Sequence, residues 1–111
     1  MKKLYGKVSR TSKKEECFTK WREGLSFKAI AAALSIQEAT AEVYIIDMVF
    51  VGHAMAHERA KLLQDVGMTQ VKQQMMRELI RNASALREVK DRSVFRYNQI
   101  RAFIACLVND E

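Results

Sequence analysis

The chain has 111 residues, of which 49% are hydrophobic, with four glycines, no proline and a formal net charge of +6. This length allows one domain with a substantial core, and the composition favours an all-α fold over a loop-rich or β-sandwich fold. No apolar run approaches about 18 residues and the N-terminus lacks a signal-peptide core, so we expect neither a membrane span nor membrane association.

The positive charge is concentrated at the N-terminus. Residues 1–28 carry nine Lys or Arg and three Glu, a net of 9 − 3 = +6, whereas residues 29–111 carry ten of each sign. Such a cluster attracts a polyanion such as DNA, although a solvated tail that maintains solubility is an equal alternative. The predicted nucleic-acid contacts in this region are Lys2, Lys3, Lys7, Arg10, Lys13, Lys14, Lys20, Arg22 and Lys28.

The N-terminal segment divides into an arm and a first helix. Residues 1–11 have no helical period and predict a flexible basic arm, so that residues 12–111 form a single helix-turn-helix domain. The capping-box pattern from Ser12 to Glu15 predicts a helix that runs to Glu23. Its apolar face would contain Cys17, Phe18 and Trp21, as core anchors.

Residues 24–45 predict two short helices joined by a tight turn, the form of a helix-turn-helix. Gly24 would end the first helix in a left-handed conformation, and Ser26 would cap the next one. Ile30, Ala31 and Leu34 then form one apolar face. The pattern breaks at residues 35–36 and a third helix begins near Gln37.

The third helix is expected to recognise DNA bases poorly. Thr40, Ala41 and Tyr44 would point inward. A major-groove helix needs Arg, Lys, Asn or Gln to meet base edges, and only Gln37 fits that requirement. The predicted groove-facing residues are Gln37, Glu38, Ala39, Glu42, Val43 and Ile46.

The same helix is apolar on nearly every side between Val43 and Val51. A helix of this kind is either fully buried or part of an interface. We therefore expect a protein partner, or a second copy in a homodimer, to contact Val43, Ile46, Val49 and Phe50.

The second half of the chain is also expected to be helical, which gives five to six helices in total. A fourth helix would span 57–66, with Ala60, Leu62 and Leu63 inward, and Gly67 would end it. Thr69 would cap a fifth helix that runs to Arg81 with an apolar stripe of Val71, Met75, Met76, Leu79 and Ile80. A polar connection at 82–93 would lead to a last helix at 95–108, with Ile100, Phe103, Ile104 and Leu107 inward.

No pattern for catalysis or cofactor binding stands out. His53 and His57 are four residues apart beside Glu58, but the H-E-x-x-H order and a third ligand are missing, so we expect no metal. Cys17 has no catalytic signature beside it, and no phosphate-binding glycine loop is found. We expect no cofactor, no enzymatic activity and reduced cysteines, which favour an intracellular location, nuclear in a eukaryote or cytoplasmic in a bacterium.

Two families share the central pattern. The run G-x-S-x-K-x-I-A-x-x-L-x-I, from Gly24 to Ile36, resembles LuxR-type DNA-binding domains, although Glu42 and Val43 replace their usual basic residues. T-A-E-V-Y-I, at 40–45, resembles the helix-turn-helix found C-terminal to the catalytic core of RecQ-type and Werner-type helicases. The second resemblance extends over roughly 15–108, through Glu58–Ala60, Gly67–Thr69, Val71, Leu79–Asn82, Tyr97–Arg101 and Ile104-Ala105.

The second resemblance implies an accessory module of a DNA repair or replication system. Such a module would bind DNA weakly and without sequence preference through the basic N-terminal region, or dock to a protein. Because no Walker motif is present, ATP-driven unwinding is not expected of this chain. The alternatives are a sequence-specific transcriptional regulator and a domain that binds only proteins.

Overall fold

The computed structural model describes residues 12–81 and 95–110, and these residues form six α-helices without a β-strand. The expectation of an all-α fold with five to six helices is confirmed. The predicted arm (1–11) and the whole of the predicted polar connection (82–93) lie outside the described residues. The helices are α1 (Ser12–Arg22), α2 (Phe27–Leu34), α3 (Glu38–Phe50), α4 (Ala56–Asp65), α5 (Gln70–Arg81) and α6 (Tyr97–Asp110).

Three of the connections share one three-residue turn. Its first residue has positive φ, its second is apolar and donates its backbone N–H to the carbonyl five residues earlier, and its third precedes the next helix. This arrangement satisfies carbonyls at the end of one helix while the next helix begins. The turns are Gly24-Leu25-Ser26, Ser35-Ile36-Gln37 and Gly67-Met68-Thr69, with N···O distances of 3.2, 3.0 and 2.8 Å to Lys20, Ala31 and Leu63.

Two predicted helix caps are confirmed. The Ser26 hydroxyl accepts from the Ala29 N–H at 3.1 Å, and the Thr69 hydroxyl accepts from the Lys72 N–H at 3.3 Å. Each occupies one of the backbone donors that a helix start leaves without a partner. These caps place the start of α2 and the start of α5 where the sequence predicts them.

The second of these turns makes the corner of a helix-turn-helix. The axes of α2 and α3 differ in direction by 105°, within the range typical of this motif. No single helix among residues 12–81 and 95–110 is long and apolar enough to cross a membrane, and only the bent pair α2 and α3, counted together, passes on length and composition.

The core is built around α3, which packs against α1, α2 and α6. From α1, Cys17, Phe18 and Trp21 are buried, as the sequence predicts, and the Phe18 and Trp21 rings stack with centroids 5.8 Å apart. From α6, Ile100, Phe103 and Ile104 are buried as expected. Helix α3 therefore has neighbours on most of its circumference.

The inward face of α3 is broader than predicted. Ala41 is buried as expected, and Thr40 and Tyr44 are half-buried, but Glu42 and Ile46, predicted to face a groove, are buried as well. The physical reason is α6, which covers this side of α3 from a position more than 50 residues later in the chain.

The apolar faces of α4 and α5 are narrower than predicted. Leu62, Met76 and Ile80 are buried, whereas Ala60 is exposed and Val71 and Met75 are 71% and 49% exposed. The predicted stripe on α5 spans too much of the helix circumference for one contact with α6 to cover it. Helix α5 thus lies at the edge of the fold.

Ser35 is the one non-glycine residue of the described chain with positive φ, at +55°. Since glycine adopts this conformation without the steric cost of a Cβ, Ser35→Gly should raise the free energy of unfolding by about 0.5–1 kcal/mol. Thermal denaturation followed by circular dichroism would measure the change. Gly67→Ala, at φ +83°, is the matched comparison and should destabilise the protein; a lower Tm for Ser35→Gly would contradict the interpretation.

Candidate nucleic-acid interface

The helix-turn-helix formed by α2 and α3 presents a nearly neutral surface. On α2 the exposed side chains are Lys28 and three alanines, and on α3 only the first turn is exposed, at Glu38 and Ala39. Helix α3 contains Glu38, Glu42 and Asp47 and no basic residue. Because phosphates repel carboxylates, this helix offers little to a DNA groove. Gln37, the predicted base-contacting residue, is exposed immediately before α3.

Glu42 is committed to the protein interior. Its side chain is 6% exposed and its carboxylate accepts from the Asn98 amide at 2.9 Å, with the Arg96 guanidinium 3.4 Å away. Asn98 also donates to the Ala39 carbonyl at 3.3 Å. These contacts satisfy a buried carboxylate and fix α6 across α3. Glu42 is therefore not a groove-facing residue, which corrects the sequence prediction.

Lys14 is also turned inward. It is 8% exposed, its ammonium lies 2.8 Å from the Asp47 carboxylate, and it sits 5.8 Å from the centre of the Tyr44 ring. Transfer of this ammonium to a phosphate would break its ion pair with the buried Asp47 carboxylate, which is costly. The prediction that Lys14 contacts DNA is corrected: its role is to join α1 to α3.

Arg22 of α1 makes a bidentate ion pair with Glu58 of α4. Its Nε donates to one carboxylate oxygen at 2.8 Å and its Nη2 donates to the other at 2.9 Å. Nη2 also donates to the His53 carbonyl at 2.7 Å, and the guanidinium lies over the Phe18 ring. Glu58 in turn accepts from the Met55 N–H at 2.9 Å, at the start of α4. Arg22 thus connects α1 to α4, and its charge is largely compensated within the chain.

The other predicted cations differ in their surroundings. Lys13 and Lys28 are exposed and Lys20 is half-buried. Exposed Glu15, Glu16 and Glu23 lie on or next to the same helix as Lys13 and Lys20, so the surface of α1 is close to neutral. Lys2, Lys3, Lys7 and Arg10 lie outside the described residues. In the sequence, residues 1–11 carry these four cations and no acid.

The predicted partner interface on α3 is mostly interior. Ile46 and Val49 are 0% exposed, because α6 and the other core helices cover them. Val43 and Phe50 are half-buried, and Phe50 packs against the core. Ile46 and Val49 are therefore corrected from interface to core residues. The sequence alone cannot distinguish a core helix from an interface helix, because each is apolar on every side.

The described residues present no arrangement for metal or covalent chemistry. Within 12–81 and 95–110, no group of three His, Cys, Asp or Glu side chains is placed to hold a metal ion. The pKa of the Cys17 thiol is raised because burial disfavours the thiolate. A cleft beside the start of α2 is lined by two cations, Lys28 and Lys61, and two acids, Glu38 and Asp65, and is close to neutral in charge.

The contacts that sequence reasoning missed join residues far apart in the chain. Lys14 and Asp47 are 33 positions apart, and the Arg22–Glu58 and Glu42–Asn98 contacts span 36 and 56 positions. No short-range spacing signals such pairs. The one available signal was the run of uncompensated acids on α3, which required partners from elsewhere once that helix was buried.

Comparison with known proteins agrees with this geometry. A family model described as a helix-turn-helix domain matches residues 13–104, from the first turn of α1 into α6. No curated protein and no solved structure matches the chain.

The Arg22–Glu58 pair gives a pH-dependent prediction. The Arg22 hydrogen bonds lower the pKa of the Glu58 carboxyl, outweighing the opposing effect of burial. Since the folded pKa lies below the unfolded value of about 4.3, the stabilisation is present above that value and is lost as pH falls through the folded pKa. Glu58→Gln should therefore lower the free energy of unfolding by about 1 kcal/mol at pH 7, and the deficit should shrink at about pH 3.

Urea denaturation at the two pH values would measure this deficit. Glu23→Gln is the matched control, because Glu23 is exposed just beyond the end of α1, and it should change stability little at either pH. A deficit for Glu58→Gln that is the same at both pH values would remove Glu58 from the pH dependence of stability.

Proposed function

The chain belongs to the helix-turn-helix domain family that its residues 13–104 match, and from this membership we propose that it is a non-catalytic DNA-binding module. The 105° corner between α2 and α3 is the observation that carries the proposal, because it is the geometry expected of the motif. The module acts inside the cell as an accessory part of a DNA repair or replication system. That last assignment is supported only by the resemblance to the helix-turn-helix of RecQ-type helicases.

The N-terminal arm supplies most of the affinity in this proposal, without sequence preference. Residues 1–11 carry four of the six net positive charges, whereas Lys14 and Arg22 are held by Asp47 and Glu58. Lys13 and Lys28 are exposed and add phosphate contacts of their own. Because phosphate contacts carry no base information directly, this binding is directed by charge.

The two alternative functions have less support. A transcriptional regulator that reads bases with α3 would need donors along that helix, and its exposed first turn offers Glu38 and Ala39. A docking surface on α3 would be restricted to Val43 and Phe50, both half-buried. Neither surface is favoured over DNA binding through the arm.

Removal of residues 1–11 tests the proposal. Because each neutralised phosphate contributes about −0.9 to the slope of log affinity against log salt, loss of four cations should weaken duplex binding and flatten this slope by up to about 3 to 4. Fluorescence anisotropy with labelled duplex, single-stranded and forked DNA at about 50 and about 200 mM salt would measure both quantities.

The control replaces Lys2, Lys3, Lys7 and Arg10 by Gln in the full-length chain, which removes the charge and keeps the length. It should reproduce the deletion. Equal affinity and equal slope in the deletion, the Gln variant and the unaltered protein would exclude the arm, and absence of binding to all three DNA forms at low salt would refute DNA binding itself.

A further inference from the structure

The connection between α4 and α5 repeats the turn between α2 and α3. In both, the residue after a positive-φ residue donates to the carbonyl five positions earlier: Ile36 to Ala31 at 3.0 Å, and Met68 to Leu63 at 2.8 Å. In both, the next residue stands immediately before the second helix. We propose that α4 and α5 form a second helix-turn-helix unit, and that α5 enters the major groove of duplex DNA. This inference rests on the proposed DNA binding and adds a sequence preference that the arm lacks.

The turn between α4 and α5 is fixed by contacts with its surroundings, as a groove-binding helix requires. Met68 is buried beneath it. The Gln99 amide on α6 donates to the Val66 carbonyl at 3.0 Å, and the Gln73 amide on α5 donates to the Met68 carbonyl at 3.0 Å. The direction of α5 is thereby fixed relative to α6.

One side of α5 presents the side chains that contact base edges. Gln70, Gln74, Arg77 and Arg81 follow one another at i, i+4, i+7 and i+11, so they form a single stripe along the helix, and all four are exposed. Glutamine donates and accepts in the pattern that matches the major-groove edge of adenine, and arginine matches guanine or phosphate. No such stripe occurs on α3, where the exposed first turn holds Glu38 and Ala39.

The exposed apolar residues of α5 fit the same role. Val71 and Met75 are 71% and 49% exposed beside the stripe, so both apolar side chains are accessible to a ligand that approaches this side of α5. The thymine methyl group in the major groove is an apolar surface of suitable size. The stripe and these two residues together match a step that contains A·T pairs.

Helices α5 and α3 also differ in charge. Helix α5 contains Lys72, Arg77 and Arg81 against Glu78, whereas α3 contains three acids and no base. Helix α5 buries Met76 and Ile80, and Lys72, Gln73 and Leu79 are half-buried. The remaining side chains of α5 are exposed and are available to DNA. In known helix-turn-helix complexes the N-terminal residues of the second helix contact bases. Gln70, Val71 and Gln74 would then contact bases, and Arg81 would contact a phosphate.

Selection from a pool of duplexes with a randomised central segment, performed with the full chain, tests the inference. The unaltered protein should enrich a short motif that contains A·T pairs. Gln70→Ala with Gln74→Ala should lose this enrichment, with the preference for the selected duplex over a scrambled one falling by about 30-fold or more. Alanine preserves the helix at these exposed positions, and circular dichroism would verify the fold.

The matched control is Gln64→Ala, which removes the same side chain from an exposed position of α4 and should leave the motif unchanged. Gln37→Ala tests the competing prediction that the start of α3 contacts bases. Arg81→Gln should weaken binding to all duplexes about equally. Enrichment that survives the α5 double variant, or disappears with Gln37→Ala, would overturn the inference. Salt-dependent binding without any enriched motif would also overturn it while leaving the proposed function intact, whereas no binding to the pool at low salt would refute both.

Discussion

The fold depends on the burial of α3, whose two buried acids find their partners on other helices. Asp47 pairs with Lys14 of α1, and Glu42 accepts from Asn98 of α6. A buried carboxylate without a partner is strongly destabilising, so each of these contacts specifies which helix lies on which side of α3. Burial of the apolar side chains supplies most of the driving force for folding, and the polar contacts select one arrangement of the helices.

This central position constrains what α3 can do. A helix surrounded by α1, α2 and α6 has fully exposed side chains only in its first turn, and Val43, Tyr44 and Phe50 are half-buried. A groove-binding helix needs a continuous exposed face. The corner between α2 and α3, which is typical of a helix-turn-helix, therefore serves here mainly to organise the core. A peripheral helix such as α5, which is held on one side only, has the opposite balance between packing and exposure.

Local features of the structure could be predicted from the sequence because their causes are local. Gly24, Ser26, Gly67 and Thr69 set helix ends through their own backbone preferences and hydroxyls, and the structure confirms them. The face of α3 and the fate of Lys14 could not be predicted, because they depend on residues 33 to 56 positions away. Periodicity identifies an apolar side chain but not the helix that will cover it, which is why Ile46 and Val71 were assigned to the wrong environments.

Glu58 makes contacts both within α4 and with α1, and this has a consequence for local unfolding. The same carboxylate closes the first turn of α4 and holds Arg22 of α1. Helix α4 is thus attached to α1 by a group that also maintains its own first turn, alongside the hydrogen bond from the Trp21 indole to Asp65. Helices α4 and α5 bury few large side chains of their own. Loss of the Glu58 contacts would therefore weaken the attachment of α4 to α1 and fray the first turn of α4 in one event, so that these two effects are coupled.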